Sequence, residues 1–224
     1  MILDDYKLIE KIDSSSFSKI WKATKEGSND FYSVHQIKKY YGDGHTVDKY
    51  LKDEIEVLED VYHPNIIKLL DVKENPEYYF LIFKYINGGN LFGYIQGQPL
   101  SEEIVQYIMK QLVDVIKYLH DKKIVHRNIK PENILIKYDS KEDLLNKNIL
   151  KSKIILIGFG LSTHFKKGDS LKTFVGTKNY AAPELQEMIP YNEKVDIWSL
   201  GITCYASLFV KYPVISYKKK NFDN

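Results

Sequence analysis

Two short stretches in the second half of the chain bear on chemistry, one because it combines reactive side chains and the other because it lacks them. The first combines an imidazole, cations, a carboxylate and amides, and it reads His126-Arg127-Asn128-Ile129-Lys130-Pro131-Glu132-Asn133. The second, Gly158-Phe159-Gly160, offers no side-chain ligand for a metal ion. An amide such as that of Asn128 cannot act as a general base near neutral pH, although it can form hydrogen bonds. A lone amide oxygen is also a poor ligand for a hard dication, so Asn133 is predicted to brace the backbone.

Composition narrows the classes of function that this chain can have. Of 224 residues, 44% are apolar and 28% are charged, which is enough to bury a core. The net charge of +2 favours neither nucleic acid nor a membrane surface as a partner. The six histidines have no metal-ligand spacing, so we predict no metal site. A single cysteine, Cys204, and the absence of an N-terminal signal predict a cytoplasmic location.

The elements that must position these residues begin with strands in the first third of the chain. Short runs rich in β-forming residues, separated by Ser, Gly and Asn, predict strands at Tyr6–Ile12, Lys19–Thr24, Phe31–Lys38, Ile66–Asp71 and Tyr78–Phe83. An amphipathic helix is predicted over Asp48–Tyr62, because its apolar residues recur at helical spacing. Asn87-Gly88-Gly89 interrupts the pattern, so we predict a boundary between a first lobe, 1–86, and a second lobe, 87–224.

The second lobe is predicted to be mainly helical. Ser101 is a favourable N-cap for a helix that continues to His120. Two short apolar strands are predicted at Asn133–Lys137 and Lys153–Ile157, and the polar segment between them, Tyr138–Ser152, is predicted to be a surface insertion. A buried helix is predicted to begin near Asp196. Its apolar stretch, Ile197–Val210, is shorter than the roughly 20 residues needed to span a membrane.

The order of these motifs resembles that of the eukaryotic protein kinases. The stretch beginning at His126 resembles their catalytic loop, and the later motifs that match are Gly158-Phe159-Gly160, Gly176-Thr177, Ala182-Pro183-Glu184 and Asp196-Ile197-Trp198-Ser199-Leu200-Gly201. The stretch Gly160–Phe165 is most similar to the calcium/calmodulin-dependent and calcium-dependent kinases. The resemblance implies an α+β, bilobal fold with an antiparallel β-sheet N-lobe carrying one helix. It also implies a mainly α-helical C-lobe, here truncated after its central buried helix.

Several positions depart from what the resemblance implies for ATP binding. Asp13, Ser15 and Ser18 stand at the glycine positions of the phosphate-covering loop, and Asp13 places a negative charge near a polyanion. His35 replaces the lysine that pairs with the phosphates. Glu54, which normally holds that lysine, is retained and is expected either to hydrogen-bond His35 or to be a solvated helix residue.

The catalytic positions depart from the family as well. Asn128 and Gly158 replace the catalytic and metal-binding aspartates, whereas Lys130 and Asn133 are retained. From these replacements we expect a pseudokinase that is not an enzyme, with binding of Mg-ATP weak or absent. A degenerate nucleotide pocket is implied at Ile12, Asp13, Ser15, Ser18, Ile20, Ser33, Phe83, Lys84, Ile86 and Leu135. Thr173 resembles the phosphorylated residue of the activation segment, and Arg127 is its implied partner.

Four functions remain open on these residues. The leading hypothesis is a regulatory module that binds a protein partner, such as an active kinase. The others are a divergent serine/threonine kinase with residual ATP binding or phosphotransfer, a sensor that binds ATP without metal, and a remnant with no function. Because apolar residues surround the helix that begins near Asp196 while the chain ends at Asn224, we also expect association through this helix or marginal stability.

Overall fold

The computed structural model describes residues 2–40, 48–166, 171–173 and 175–213. An antiparallel sheet precedes a mainly helical region, which confirms the predicted α+β, bilobal fold class. The boundary between residues 86 and 87 stays a prediction. The second lobe was predicted to extend to Asn224, and residues 214–224 lie outside the described part.

The first lobe is built on a six-stranded antiparallel sheet. Its strands are β1 Ile2–Leu3, β2 Tyr6–Ser14, β3 Ser18–Lys25, β4 Phe31–Lys38, β5 Leu69–Glu74 and β6 Tyr78–Lys84, in the order β1-β2-β3-β4-β6-β5. One face buries Leu8, Ala23, Val34 and Ile82, because alternate residues of a strand point to the same side. The helix α1, Asp48–Asp60, belongs to the main core that includes the other face. The sheet thus lies between two apolar layers.

The second lobe follows the predicted order of elements and adds several short ones. Its helices are α2 Leu91–Ile95, α3 Glu102–Asp121, α4 Lys141–Leu145, α5 Pro183–Gln186 and α6 Lys194–Phe209. Its strands are β7 Ile124–Val125, β8 Ile134–Tyr138, β9 Ser152–Leu156 and β10 Thr163–His164. Ser101 caps α3 as predicted, and its hydroxyl accepts the Ile104 N–H at 3.4 Å.

The strand predicted at Ile66–Asp71 begins later than expected, at Leu69. Ile66 and Ile67 are buried, and they pair with β9 of the second lobe instead of with β6. The Ile67 N–H donates to the Leu156 carbonyl at 3.0 Å, and the Leu156 N–H donates to the Asn65 carbonyl at 2.8 Å. Backbone hydrogen bonds therefore join the segment before β5 to β9 of the second lobe, which local sequence pattern does not reveal.

The segment Tyr138–Ser152 is more ordered than a plain surface insertion. Ser140 caps α4 by accepting the Asp143 N–H at 3.0 Å. Ile149 is only 2% exposed and joins the main core. The polar composition of the segment is that of a solvated turn, but Ile149, together with the buried Tyr138 and the partly buried Leu144, anchors it to the lobe.

The last described helix, α6, has both buried and exposed apolar residues. Val195, Leu200 and Ile202 are buried, whereas Ile197 and Phe209 are each about half exposed. The association predicted for this helix stays a prediction. Among the described residues, none of the helices combines the length and hydrophobicity that crossing a bilayer requires.

Candidate active site

A cavity of about 650 Å³ opens between the two lobes, and both lobes supply its walls. Most residues of the predicted nucleotide pocket line it, namely Ile12, Asp13, Ile20, Ser33, Phe83, Lys84, Ile86 and Leu135. Ser15 and Ser18 are not part of this wall. The predicted catalytic positions His35, Glu54, Lys130, Asn133 and Gly158 also face the cavity. Residues that are distant in the sequence are therefore brought into one site.

The serine-rich turn between β2 and β3 is closed by its own hydrogen bonds. The Ser15 hydroxyl accepts the Phe17 N–H at 3.2 Å and the Ser18 N–H at 3.1 Å, and it lies 3.0 Å from the Ser18 hydroxyl. The Asp13 carboxylate accepts the Ser14 N–H at 2.7 Å. These amides are engaged within the turn, so this loop does not present them to an anion as a glycine-rich loop does.

His35 and Glu54 line the cavity but form no hydrogen bond with each other. The His35 ring stacks at a tilt on Phe83, with 4.7 Å between ring centroids. Glu54 lies beside Gly160, where an added Cβ would be 3.3 Å from Oε2. Of the two expectations for Glu54, a bond to His35 and a solvated helix position, neither describes this half-buried carboxyl. The imidazole is shorter than a lysine side chain, so it stays near the strand while Glu54 approaches Gly160.

Burial alone shifts both of these groups toward their neutral forms. It lowers the pKa of His35 from 6.5 to about 4 and raises the pKa of Glu54 from 4.5 to about 7. The stability that the fold gains from a neutral Glu54 is therefore fully present below pH 4.5, and it is lost as the pH rises through about 7. The His35 contribution is full above pH 6.5 and is lost as the pH falls through about 4.

We therefore expect Glu54→Gln to be more stable than the wild type at alkaline pH. Its amide removes the buried charge, so the free energy of unfolding should increase by up to about 3 kcal/mol above pH 7, and by little near pH 4.5. Urea unfolding at several pH values measures this difference. The matched control is Glu56→Gln on the exposed face of α1, with an expected change within about 0.5 kcal/mol. If the difference in free energy of unfolding between Glu54→Gln and the wild type were constant across the pH range, it would contradict the raised pKa of Glu54.

The loop from His126 to Asn133 is held by a buried carboxylate on α6. Asp196 is completely buried, and it accepts the backbone N–H of His126 at 2.9 Å and that of Arg127 at 2.8 Å. It also accepts a hydrogen bond from His120 Nε2 at 2.9 Å. Sequence analysis recognised Asp196 only as the start of a motif and missed this positioning role. Its acidic side chain at the start of an otherwise apolar helix was the available signal.

Asn128, the remaining predicted catalytic position, is not part of the cavity wall, but its amide and its carbonyl are both held by hydrogen bonds. The Thr177 hydroxyl donates to Asn128 Oδ1 at 3.3 Å, and Asn133 Nδ2 donates to the Asn128 carbonyl at 2.8 Å. Asn133 thus braces the backbone of the loop. In this arrangement the Asn128 amide can orient a hydroxyl group by hydrogen bonding but cannot remove its proton.

The residues around Gly158 do not fit a magnesium ion. Gly158 has a φ of +83°, and a Cβ added there would lie 2.6–2.8 Å from Cγ, Nδ2 and Oδ1 of Asn133. The Asn133 side chain therefore occupies the space that a carboxylate at position 158 would need. Within the described ranges, the structure has no cluster of three or more His, Cys, Asp or Glu residues suited to a metal.

The charges around the cleft are distributed unevenly. Lys84 is paired with Asp30 at 2.5 Å. In the described part of the chain, Lys130 is the lysine of the cavity wall that forms no ion pair. Glu132 Oε2 is buried without a hydrogen-bond partner. Lys130 is therefore the group best placed to interact with an anionic ligand.

Arg127 and Thr173, the predicted regulatory pair, are not among the residues that line the cavity. Arg127 Nε donates to the Leu161 carbonyl at 2.7 Å, and its Nη1 donates to the Tyr191 hydroxyl at 3.1 Å. The Thr173 side chain is exposed, and only its carbonyl takes part, as the acceptor for the Tyr191 hydroxyl at 2.9 Å. Sequence analysis missed Tyr191, because an aromatic residue after a proline in a polar turn carries no specific signal.

Comparison with known proteins agrees with this geometry. The family model described as "Protein kinase domain" matches residues 6–224. Serine/threonine-protein kinase ULK3 of Xenopus laevis is 35% identical over 216 residues, which are 96% of this chain and 44% of that protein. Calcium/calmodulin-dependent protein kinase type 1B of Rattus norvegicus is 35% identical over 209 residues, covering 93% and 57%. Death-associated protein kinase 2 of Mus musculus is 34% identical over 221 residues, covering 97% and 58%.

These findings correct one expectation and confirm another. The chain spans 44% to 58% of the length of these relatives. The expectation that the chain is not an enzyme is wrong, because the proteins it matches carry the names of protein kinases. The replacements at His35, Asn128 and Gly158 change the chemistry of the cleft, but they do not establish a loss of activity. The resemblance to the kinases, including those of the calcium/calmodulin-dependent type, is confirmed.

Proposed function

Because the chain belongs to the protein kinase family, we propose that it is a divergent serine/threonine protein kinase that retains nucleotide binding and a low rate of phosphotransfer. The observation that carries this proposal is the cleft itself. An apolar wall formed by Ile20, Phe83 and Leu135 adjoins the loop on which Asn128 and Lys130 are held. A nucleotide base can pack in the apolar part while its phosphates point toward Lys130.

The reaction follows from the groups that remain. The substrate hydroxyl oxygen attacks the γ-phosphorus, an oxygen–phosphorus bond forms, and the bond to the ADP leaving oxygen breaks. Asn128 orients the hydroxyl, and the Lys130 ammonium stabilises the charge of the transferring group. The hydroxyl proton passes to solvent or to a phosphate oxygen, because Asn128 cannot take it. This route accounts for a reduced rate without requiring a general base or a metal ligand at position 158.

The experiment is ATP-dependent phosphorylation of serine and threonine peptides, with nucleotide binding followed separately by thermal shift. We expect a stabilising shift with ATP and incorporation above that of heat-denatured protein. Lys130→Met should lower the rate of phosphotransfer at least about tenfold. This is less than the factor of about 10²–10³ that a hydrogen-bond donor contributes in a fully enclosed site, because Lys130 is only half-buried. Lys137→Met is the matched control, because Lys137 pairs with Asp139 outside the cavity at 2.9 Å. Absence of nucleotide binding, or binding without transfer, would refute the proposed function.

The same proposal covers the substrate, the cellular location and the metal dependence of the reaction. We propose that the partner or substrate is a protein, such as an active kinase. We also propose that the location is cytoplasmic. Binding of Mg-ATP is expected to be weak, because Gly158 and Asn133 do not fit the metal. Co-purification and thermal shift with and without magnesium would test these points.

A further inference from the structure

The Arg127 guanidinium is bound by the hydroxyl of a tyrosine, and that hydroxyl is also a donor. Tyr191 Oη accepts from Arg127 Nη1 at 3.1 Å and donates to the Thr173 carbonyl at 2.9 Å. The Tyr191 side chain is buried, with 5% of the residue exposed. A buried hydroxyl that both accepts and donates is well satisfied, and its bond to a charged donor is of the stronger kind.

The backbone of Tyr191 is joined to the same segment. The Leu171 N–H donates to the Tyr191 carbonyl at 2.9 Å, and the Tyr191 N–H donates to the Leu171 carbonyl at 3.0 Å. The Tyr191 ring is part of an apolar cluster with Val125, Leu185 and Val195, against which Leu171 also packs. Tyr191 therefore contacts residues 171–173, the catalytic loop and the core of the lobe at the same time.

We propose that Tyr191 is a positioning residue that holds the segment around Thr173 against Arg127 while Thr173 carries no phosphate. Its hydroxyl occupies the place on Arg127 that the sequence resemblance assigned to a phosphothreonine. The exposed Thr173 side chain is not needed for this arrangement, since only its backbone carbonyl is bound. The inference rests on the proposed function for its catalytic consequence, which is that the site is assembled without phosphorylation of this segment.

The test removes the Tyr191 hydroxyl and keeps the ring. Tyr191→Phe should leave the apolar cluster packed but release residues 171–173 from Arg127. Trypsin cleavage after the exposed residues Lys172 and Lys178 should then become about tenfold faster or more, as expected for loss of a charged and a neutral hydrogen bond. The matched control is Tyr107→Phe, which removes a hydroxyl that donates to the Ser152 carbonyl at 2.6 Å elsewhere in the lobe. This control should lower the unfolding temperature to a similar degree without accelerating cleavage at these lysines.

Two further variants make the result decisive. Thr173→Glu, followed by hydrogen exchange because a carboxylate next to Lys172 would itself slow trypsin, should change the exchange of residues 171–173 by less than about twofold, because the carbonyl and not the side chain is held. In an Arg127→Ala background, Tyr191→Phe should accelerate cleavage less than it does in the wild type, since the shared bond is already absent. Hydrogen exchange well below the unfolding temperature gives the same comparison if a variant is less stable.

The proposal is overturned if Tyr191→Phe is cleaved at the wild-type rate. It is also overturned if Thr173→Glu protects the segment strongly. These measurements need no nucleotide, so a protein that binds no ATP would refute the proposed function and leave this test intact.

Discussion

Replacing Asn128 with aspartate should raise the rate of phosphotransfer about 10²-fold. A general base is worth about 10² to 10⁴, and the lower value applies because groups that act together are not additive. The loop is already positioned, since Asn133 Nδ2 bonds the Asn128 carbonyl at 2.8 Å and the Asn128 N–H bonds His126 Nδ1 at 3.2 Å. Aspartate has the same shape as asparagine, and the Thr177 hydroxyl, now 3.3 Å from Oδ1, would donate to a carboxylate.

The measurement is the initial rate of peptide phosphorylation at saturating ATP over a range of pH. The rate of Asn128→Asp should fall at acidic pH as its base becomes protonated, whereas the wild type lacks this base. Asn179→Asp is the matched control, because it adds the same charge at an exposed position of the nearby segment. Equal rates for Asn128→Asp and Asn179→Asp would show that a base at this position does not limit the reaction.

Replacing Asp196 with alanine should lower the free energy of unfolding by about 3–5 kcal/mol. The completely buried carboxylate is the acceptor for the N–H groups of His126 and Arg127 and for His120 Nε2. Its removal leaves these donors without a partner in the core, and each buried unsatisfied group costs about 1–3 kcal/mol. Because domains are stable by only about 5–15 kcal/mol, a large fraction of the stability should be lost.

Urea unfolding would measure this loss. The slope of the free energy of unfolding against urea concentration should be the same for the variant and the wild type if the two-state transition is preserved. Asp196→Asn should be intermediate, since its amide keeps one of the two acceptor oxygens. Asp121→Ala is the control for an exposed ion pair with Lys117, at 2.8 Å, and should change stability by less than about 1 kcal/mol. Similar losses for Asp121→Ala and Asp196→Ala would contradict the role assigned to Asp196.

Much of the fold could be predicted because its signals are local. Strand β4 was predicted with its observed bounds, and α3 begins after Ser101 as expected, since alternation and a capping hydroxyl act over a few residues. The strand predicted at Ile66 was displaced because Ile66 and Ile67 bond to β9, which lies far along the chain. Pairing between distant strands leaves no periodic signal in either one.

The candidate site, like the fold, could be predicted from the sequence only in part. Residue types alone showed which charged groups the cleft lacks, because Asn128 and Gly158 can be recognised from their neighbours in the motif. They did not show that Asn133 fills the space beside Gly158, or that Glu54 lies against Gly160 instead of bonding His35.

The sequence by itself determined the family, the order of the elements and the identity of the altered positions, because these depend on motifs within single short segments. Only the tertiary structure decided which groups hold the site, such as Asp196 beneath the catalytic loop and Tyr191 against Arg127. These hydrogen bonds join residues that are more than 60 positions apart in the chain. Their geometry depends on how the helices and loops pack, which no local pattern specifies.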